Sequence, residues 1–448
     1  MNKECVMENK FLRFVEYVKL SFWDTKRYLH NISIGLNQGT LLSDVLKPYK
    51  KSVSKEEIIK NGWQIISKIN FGGELFLREF EEIEKYKGNL FLVPENTIIY
   101  SKINVRHGCI YFNEIDNIPF CVSSEYPVFV IDENKVKGKF LQRLLRTNEF
   151  KKLLNTKATG ISKARVKQDE FLNIQIPLPS LDEQEAIVSA YQSKIEEAQR
   201  LENEAQELEN EIENYLFEEL GIEQEQQKKG KTRGLQFVEF KNVEKWGVDF
   251  VFNIEKEKNK YKVYKISDLC KISSGGTPSR SRKEYFTGNI PWIKTGELNN
   301  EILFDTEEKI TEHAIQNSSA KLYPIGSLVV AMYGATIGKT AKLGVEATTN
   351  QACAVLFDID TSKVEIDFLW EFIQSQTNKF KSLAYGSAQP NLNAGIISNY
   401  KVPLPPPPKQ NEIVATIATM KQTQKQKTET VTRLRAEALA EFEKVIFS

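Results

Sequence analysis

Short apolar runs separated by loop-like stretches fill the first ~170 residues of the chain, and the same texture returns after residue 236. Asn96–Tyr100, Val128–Ile131, Leu328–Tyr333 and Ala352–Phe357 read as strands, so both regions are expected to be α+β. Between and after them the period changes. Leu201, Ala205, Leu208, Ile212 and Tyr215 are spaced by four and three residues, as are Ile413, Ile417 and Met420, then Val431, Leu434 and Ala438. Gln424 and Lys427 occupy the remaining positions of the second seam. An a/d rhythm of this length, Glu-rich on one helix and Lys/Arg-bearing on the other, predicts two long helices paired as a coiled coil, with the polar positions fixing register. The plainer alternative is that each helix packs only on its own domain.

Each predicted helix follows a proline stop. Pro177, Pro179 and the run Pro403–Pro408 lack the N–H that a helix interior needs, so the helices are expected to begin after them, with Ser180 or Asp182 as the first N-cap. These two junctions also reveal a repeat. Asn173–Val188 returns as Asn399–Val414, a shift of 226 residues, about half the chain. Echoes at nearly the same shift keep their order: Phe14–Tyr17 with Phe237–Phe240, Trp23 with Trp246, Leu42–Val45 with Ile266–Leu269, and Phe150–Lys151 with Phe380–Lys381. The chain therefore reads as two copies of one unit.

The 448 residues suffice for two to four domains, and 41% hydrophobic with 27% charged residues fits neither disorder nor a membrane protein. The near-zero net charge conceals opposing blocks. Counting Lys and Arg against Asp and Glu gives +7 for residues 1–180, −13 for 181–225, +5 for 226–408 and +2 for 409–448. Two basic blocks flanking an acidic helix suit an anionic partner, although a solvated surface gives the same balance. The N-terminus lacks an apolar signal region and the five cysteines lack CxxC spacing, which argues against export and zinc. Three histidines leave little material for acid–base relays.

Gly334–Thr340 resembles a phosphate-binding loop but is one residue short of it, and the sequence after it reads as strand, so a glycine-supported turn is expected. No hydrolase, dinucleotide or methyl-donor signature is visible. The richest segment is Ile272–Asn300. Gly275 and Gly276 permit close backbone approach, Ser279, Lys283 and Lys294 suit phosphates, and Arg280 and Arg282 suit guanine in a major groove. A solvated loop closed by Tyr285 and Trp292 explains any one of these residues equally well. Candidate equivalents in the first copy are Lys47, Tyr49, Lys50 and Lys51, then Lys102, Asn104 and Arg106, with Lys163 and Arg165 in a third basic stretch; Lys339 completes the candidates of the second copy.

GGTP followed by IPWIKTGEL, then VVAMYGATIGKTA, NQACAVL and KVPLPPPPKQNEIV together resemble the DNA specificity subunit of Type I restriction-modification systems, over essentially the whole chain. The resemblance implies two tandem, pseudo-symmetric α+β target-recognition domains, each reading one half of a split double-stranded DNA target. Each is followed by a long helix, the two pairing as an antiparallel coiled-coil spacer. It also implies that two methyltransferase subunits dock on the chain and methylate adenine with S-adenosylmethionine, that a translocating endonuclease subunit using ATP and Mg can join them, and that this chain itself holds no cofactor or metal and works in the cytoplasm. The first half departs from the pattern, with Leu36-Asn-Gln-Gly-Thr-Leu-Leu42 where the second has Ser274-Gly-Gly-Thr-Pro278.

The expected layout is a first recognition domain at 1–180, a helix at 181–225, a linker at 226–235, a second recognition domain at 236–408 and a helix at 409–448. The expected function is non-enzymatic recognition. The rival readings are a structural coiled-coil scaffold and a fused restriction or methyl-transfer enzyme.

Overall fold

Ser180 begins the first long helix, Leu181–Leu220, and does so through a reciprocal cap: its hydroxyl accepts from the Glu183 N–H at 3.4 Å while its own N–H donates to Glu183 Oε2 at 2.9 Å. Ser180, not Asp182, is therefore the cap. The helix stops five residues short of the expected end, because Gly221 turns the backbone to φ +68°, a left-handed conformation open to glycine. The second long helix, Pro407–Phe447, starts inside the proline run rather than after it. Pro407 and Pro408 lie in its first turn, where a missing N–H costs nothing because no intrahelical acceptor exists.

The computed structural model describes residues 39–115, 117–157, 165–222, 260–384 and 391–447. The chain divides into two units, Met1–Leu201 with Glu429–Ser448, and Glu202–Thr428, so the division falls within both long helices. The expected linker at 226–235 and the echoes at Phe14, Trp23, Phe237 and Trp246 lie outside the described residues.

In the first unit, a four-stranded antiparallel sheet runs in the order Leu46–Tyr49, Val128–Ile131, Thr97–Tyr100 and Ile110–Asn113. A five-stranded sheet runs Ser52–Val53, Leu90–Val93, Phe120–Ser123, Gln64–Ile69 and Leu75–Leu77, with one parallel pairing between 120–123 and 64–69. Tyr100, Phe129 and Phe171 stack in the main core, with ring centroids 4.4 to 6.0 Å apart, and Phe140, Leu141 and Leu144 of the helix Gly138–Leu144 cover it.

In the second unit, the five-stranded sheet runs Lys271–Ser274, Cys353–Phe357, Leu328–Ala331, Thr340–Leu343 and Glu301–Leu303. Leu328–Ala331 is apolar at every position because both of its faces are covered. Leu328 and Val330 join one core with Phe368 and Phe372 of the helix Ile366–Ser375, whereas Val329 and Ala331 join another with Cys353 and Val355. A smaller sheet orders Lys309–Ile310, Ile290–Ile293 and Thr348–Thr349.

Both units close with the same device. Thr40–Leu41 pairs with Gln175–Ile176, and Val263–Lys265 pairs with Lys401–Pro403, each antiparallel, bringing the first described strand of each unit beside the strand that feeds a long helix. The echoed pairs also take equivalent roles: Leu42–Val45 and Ile266–Asp268 each form a short helical turn, and Phe150 and Phe380 are both fully buried.

Candidate nucleic-acid interface

Gly275 and Gly276 do permit close approach, but by the chain's own backbone. A Cβ on Gly275 would sit 2.3 Å from the Asn350 carbonyl oxygen, and one on Gly276 would sit 2.3 Å from the Ser319 backbone. The Gly276 N–H donates to Thr349 O at 2.8 Å, and its carbonyl accepts from the buried Trp292 indole at 3.0 Å. Tyr285 and Trp292 close this segment from inside, as the sequence suggested.

On that base stands a charged network. The Arg280 guanidinium lies 4.4 Å from the Phe286 ring centre and 4.8 Å from that of Trp292, and it pairs with the Glu308 carboxylate. Lys294 bridges Glu307 at 2.7 Å and Glu308 at 3.0 Å. Arg280 first, then Lys294, holds the Glu308 carboxyl below its ordinary range, and the hydrogen bonds Lys294 donates to Glu307 and Glu308 raise its own pKa. Arg282 donates to the Tyr285 hydroxyl at 2.8 Å. Arg280, Arg282 and Lys294 are thus fixed by internal partners, while Lys283 is exposed and has no ion pair among the described residues. Ser279 and Ser281 share a hydrogen bond at 2.8 Å at the loop surface.

Lys339 is exposed at the end of the turn that sequence reading took from Gly334 to Gly338. Gly334 and Gly338 have φ of +67° and +81°, and the strand Thr340–Leu343 follows directly, where a phosphate-binding loop would lead into a helix.

In the first unit, Lys47 is exposed on the edge strand Leu46–Tyr49, Tyr49 instead packs into two cores, and Lys50 lies 5.4 Å over the Phe91 ring. Lys51 is exposed beside them. Lys102 and Arg165 meet on one loop: Lys102 Nζ donates to Ser124 O at 2.7 Å, and Arg165 pairs with Glu125 at 3.3 Å. Arg106 Nε donates to His107 Nε2 at 3.2 Å, next to Asn104 at the head of the turn Val105–His107. Burial, then the charge of Arg106, lowers the His107 pKa. Lys163 lies outside the described residues.

The long helices meet within each unit. In the second, Gln424 donates to the Ala205 carbonyl at 3.1 Å, Lys427 pairs with Glu204, and Lys409 pairs with Glu219 at 2.9 Å. In the first, Lys194 pairs with Glu441 at 2.5 Å and the Tyr191 and Phe442 rings meet at 5.9 Å. The partners run in opposite directions along the two helices, so the pairing is antiparallel. Ile413, Ile417 and Val431 are buried, whereas Leu201, Leu208, Ile212, Met420 and Leu434 are half-buried. Toward its end the buried positions of the first helix are Leu216 and Leu220, which the heptad reading did not select, because they face a domain core as well as the partner helix.

Two copies of one α+β unit, each closing onto its own long helix, are what a tandem specificity domain requires, and the Type I restriction modification DNA specificity domain matches residues 42–214 and again 258–433. The chain belongs to that family. The two specificity domains cover both copies of the repeat. A relative in Methanocaldococcus jannaschii, the Type I restriction enzyme MjaIX specificity subunit, is 29% identical over 180 residues, 39% of this chain and 41% of that one. The Haemophilus influenzae Type I restriction enzyme HindI specificity subunit is 30% identical over 142 residues, 31% of each chain. The aligned stretches thus span well under half the length of these curated relatives. A chain from a solved structure of the type I R-M system, described for its complex assembly and conformational transition, shares the fold with a TM-score of 0.60 at 17% identity, covering 91% of this chain and 97% of that one.

Among the described residues, no group of His, Cys, Asp and Glu is arranged to hold a metal ion, and no helix is long and apolar enough to cross a membrane.

Proposed function

We propose that this chain is the DNA-recognition subunit of a Type I restriction-modification complex, each unit reading one half of a bipartite duplex target. The observation that carries this reading is the double occurrence of the specificity domain, at residues 42–214 and 258–433, each copy with its own cores and closing ladder. Two tandem readers match a target whose informative bases come in two blocks. The acidic first helix, within the −13 block, is a poor surface for phosphates, which directs DNA to the basic domains.

In this reading Lys47, Lys51, Lys283 and Lys339, all exposed, meet the phosphate backbone, and Ser279 adds a hydroxyl donor. Arg280 and Arg282 serve base edges. Already held by Glu308 and Tyr285, their guanidiniums lose little freedom on meeting the two acceptors of guanine. Partner subunits supply the chemistry: two methyltransferase subunits carrying S-adenosylmethionine and acting on adenine, and an endonuclease subunit requiring ATP and Mg, in the cytoplasm.

The test is reconstitution. The purified chain alone is expected to bind duplex DNA without methylating or cleaving it, and to direct labelled methyl transfer only when methyltransferase subunits are added. Methyl transfer by the chain alone, or no DNA binding at physiological salt, would contradict the proposal.

A further inference from the structure

The two units differ sharply at one equivalent place. Phe140, Leu141, Leu144 and Leu145 in the first unit correspond to Phe368, Leu369, Phe372 and Ile373 in the second at a shift of 228 residues, and all eight are buried. The same shift sets Arg143 against Glu371, Arg146 against Gln374, and Lys139 against Asp367. A salt bridge is conserved with its charges exchanged: Lys139 pairs with Glu114 at 2.9 Å, and Asp367 pairs with Lys342.

In the second unit the adjoining charge is satisfied internally. Lys421 of the second long helix donates to both Glu371 oxygens at 2.6 and 2.7 Å and to Gln374 Oε1 at 3.0 Å. Among the described residues, the first unit has no counterpart to this lysine. Arg143 stacks 3.9 Å over Tyr191, and its buried Nε has no partner among the described residues. Arg146 donates to Gly72 O, yet its Nε is also buried and unpaired. The neighbouring carboxylates are engaged elsewhere, Glu114 with Lys139, Glu74 with Asn70 and Glu443 with the Asn148 N–H. Burial pushes both guanidinium pKa values down, and the charges of Glu443 near Arg143 and Glu74 near Arg146 do not offset it. Both arginines line a cleft together with Gln142, Val188, Tyr191 and Phe442.

We propose that this cleft receives a carboxylate side chain, flanked by an apolar residue, from a methyltransferase subunit, and that the second unit, closed by its own Lys421, has no such socket. The proposal rests on the reading of function above. Guanidinium forks bind carboxylates bidentately, and a half-apolar wall of Val188, Tyr191 and Phe442 fits a side chain's hydrocarbon stem. A DNA backbone fits less well. It presents charge after charge and needs a continuous cationic track, whereas this cleft sets its arginines among neutral and apolar side chains, Gln142, Val188, Tyr191, Gln192 and Phe442.

The experiment titrates the full chain with its methyltransferase subunit by calorimetry, comparing wild type with Arg143→Gln/Arg146→Gln, which copies the neutral amide found at Gln374. The double variant is expected to weaken one of two binding events by about 30-fold or more and to leave the other unchanged. Arg143→Lys, which keeps the charge and loses the fork, should give a smaller loss in the same event, and it decides the matter should the double variant fail to fold. Unchanged binding in both variants would overturn the socket, as would a loss confined to DNA affinity, which would make the cleft a phosphate site. A wild-type chain that binds no methyltransferase subunit at all would instead overturn the reading of function, and the socket with it.

Discussion

Gln184 and Gln410, 226 positions apart, make the same three hydrogen bonds. Gln184 Oε1 accepts from the Lys137 N–H at 2.8 Å, and its Nε2 donates to Pro179 O at 2.9 Å and Lys135 O at 3.1 Å. Gln410 Oε1 accepts from the Glu365 N–H at 2.8 Å, and its Nε2 donates to Pro405 O at 2.8 Å and Lys363 O at 3.0 Å. Both side chains are fully buried. Each amide staples the start of a long helix to the loop that opens the neighbouring domain helix, and satisfies three backbone groups there.

Removing either amide should therefore act locally. Gln184→Ala and Gln410→Ala are each expected to cost about 2–4 kcal/mol, since each removes a fully buried amide and the three hydrogen bonds it makes to part-buried or buried backbone groups. Hydrogen exchange at the released amides checks this: Gln410→Ala should speed exchange at Glu365 and leave Lys137 unchanged, and Gln184→Ala should do the reverse. A uniform change at both would show that the two staples are not independent.

The four thiols of the described residues should be inert in the folded chain. Burial pushes Cys109 up to about 11, and Cys121, Cys270 and Cys353 up to about 12, and all four are buried and free. Iodoacetamide at pH 8 should leave these four unlabelled in the native protein and label all of them in denaturant, as read by peptide mass spectrometry. Rapid native labelling of any of the four would contradict this packing.

The network around Glu308 carries a signed pH dependence. Its carboxyl is lowered by Arg280 and then Lys294, so the stability it contributes is present above the unfolded glutamate value of ~4.3 and is lost as pH falls through the lower folded value. Wild type should melt above Glu308→Gln at pH 7, and the gap should shrink below about pH 4. A gap independent of pH would mean that the pair contributes through packing alone.

The same network separates two kinds of DNA contact. Lys283→Ala, touching no internal partner, should weaken binding evenly across sequences and lower the salt slope by about 1. Arg280→Ala should relax sequence preference and also lower the melting temperature, because it strips Glu308, Phe286 and Trp292 of their shared cation. An Arg280→Ala protein of unchanged preference would assign Arg280 to structure.

These contrasts also mark what the sequence could tell. The repeat, the strands at 97–100, 128–131, 328–331 and 353–357, and the polar seam positions Gln424 and Lys427 were legible because local period and chain order encode them. Leu216 and Leu220 were missed because a helix shared between a coiled coil and a domain core obeys two periods at once. The role of Gly275 depends on Asn350, and that of Arg280 on Glu308, 28 residues away, so composition alone showed a basic loop where the fold holds paired charges. The sequence reading did not select Arg143 or Arg146. Only the structural equivalence with Glu371 and Gln374 shows what the first unit lacks.

The most direct test of independent readout by two tandem units is a domain exchange followed by methylome sequencing. Residues 236–400 are replaced by the equivalent segment of a relative, and the chain is expressed with its methyltransferase subunits in cells lacking the native gene. One half of the methylated motif is expected to change to that of the donor while the other stays as it was. A motif altered in both halves, or in neither while methylation persists, would contradict the account.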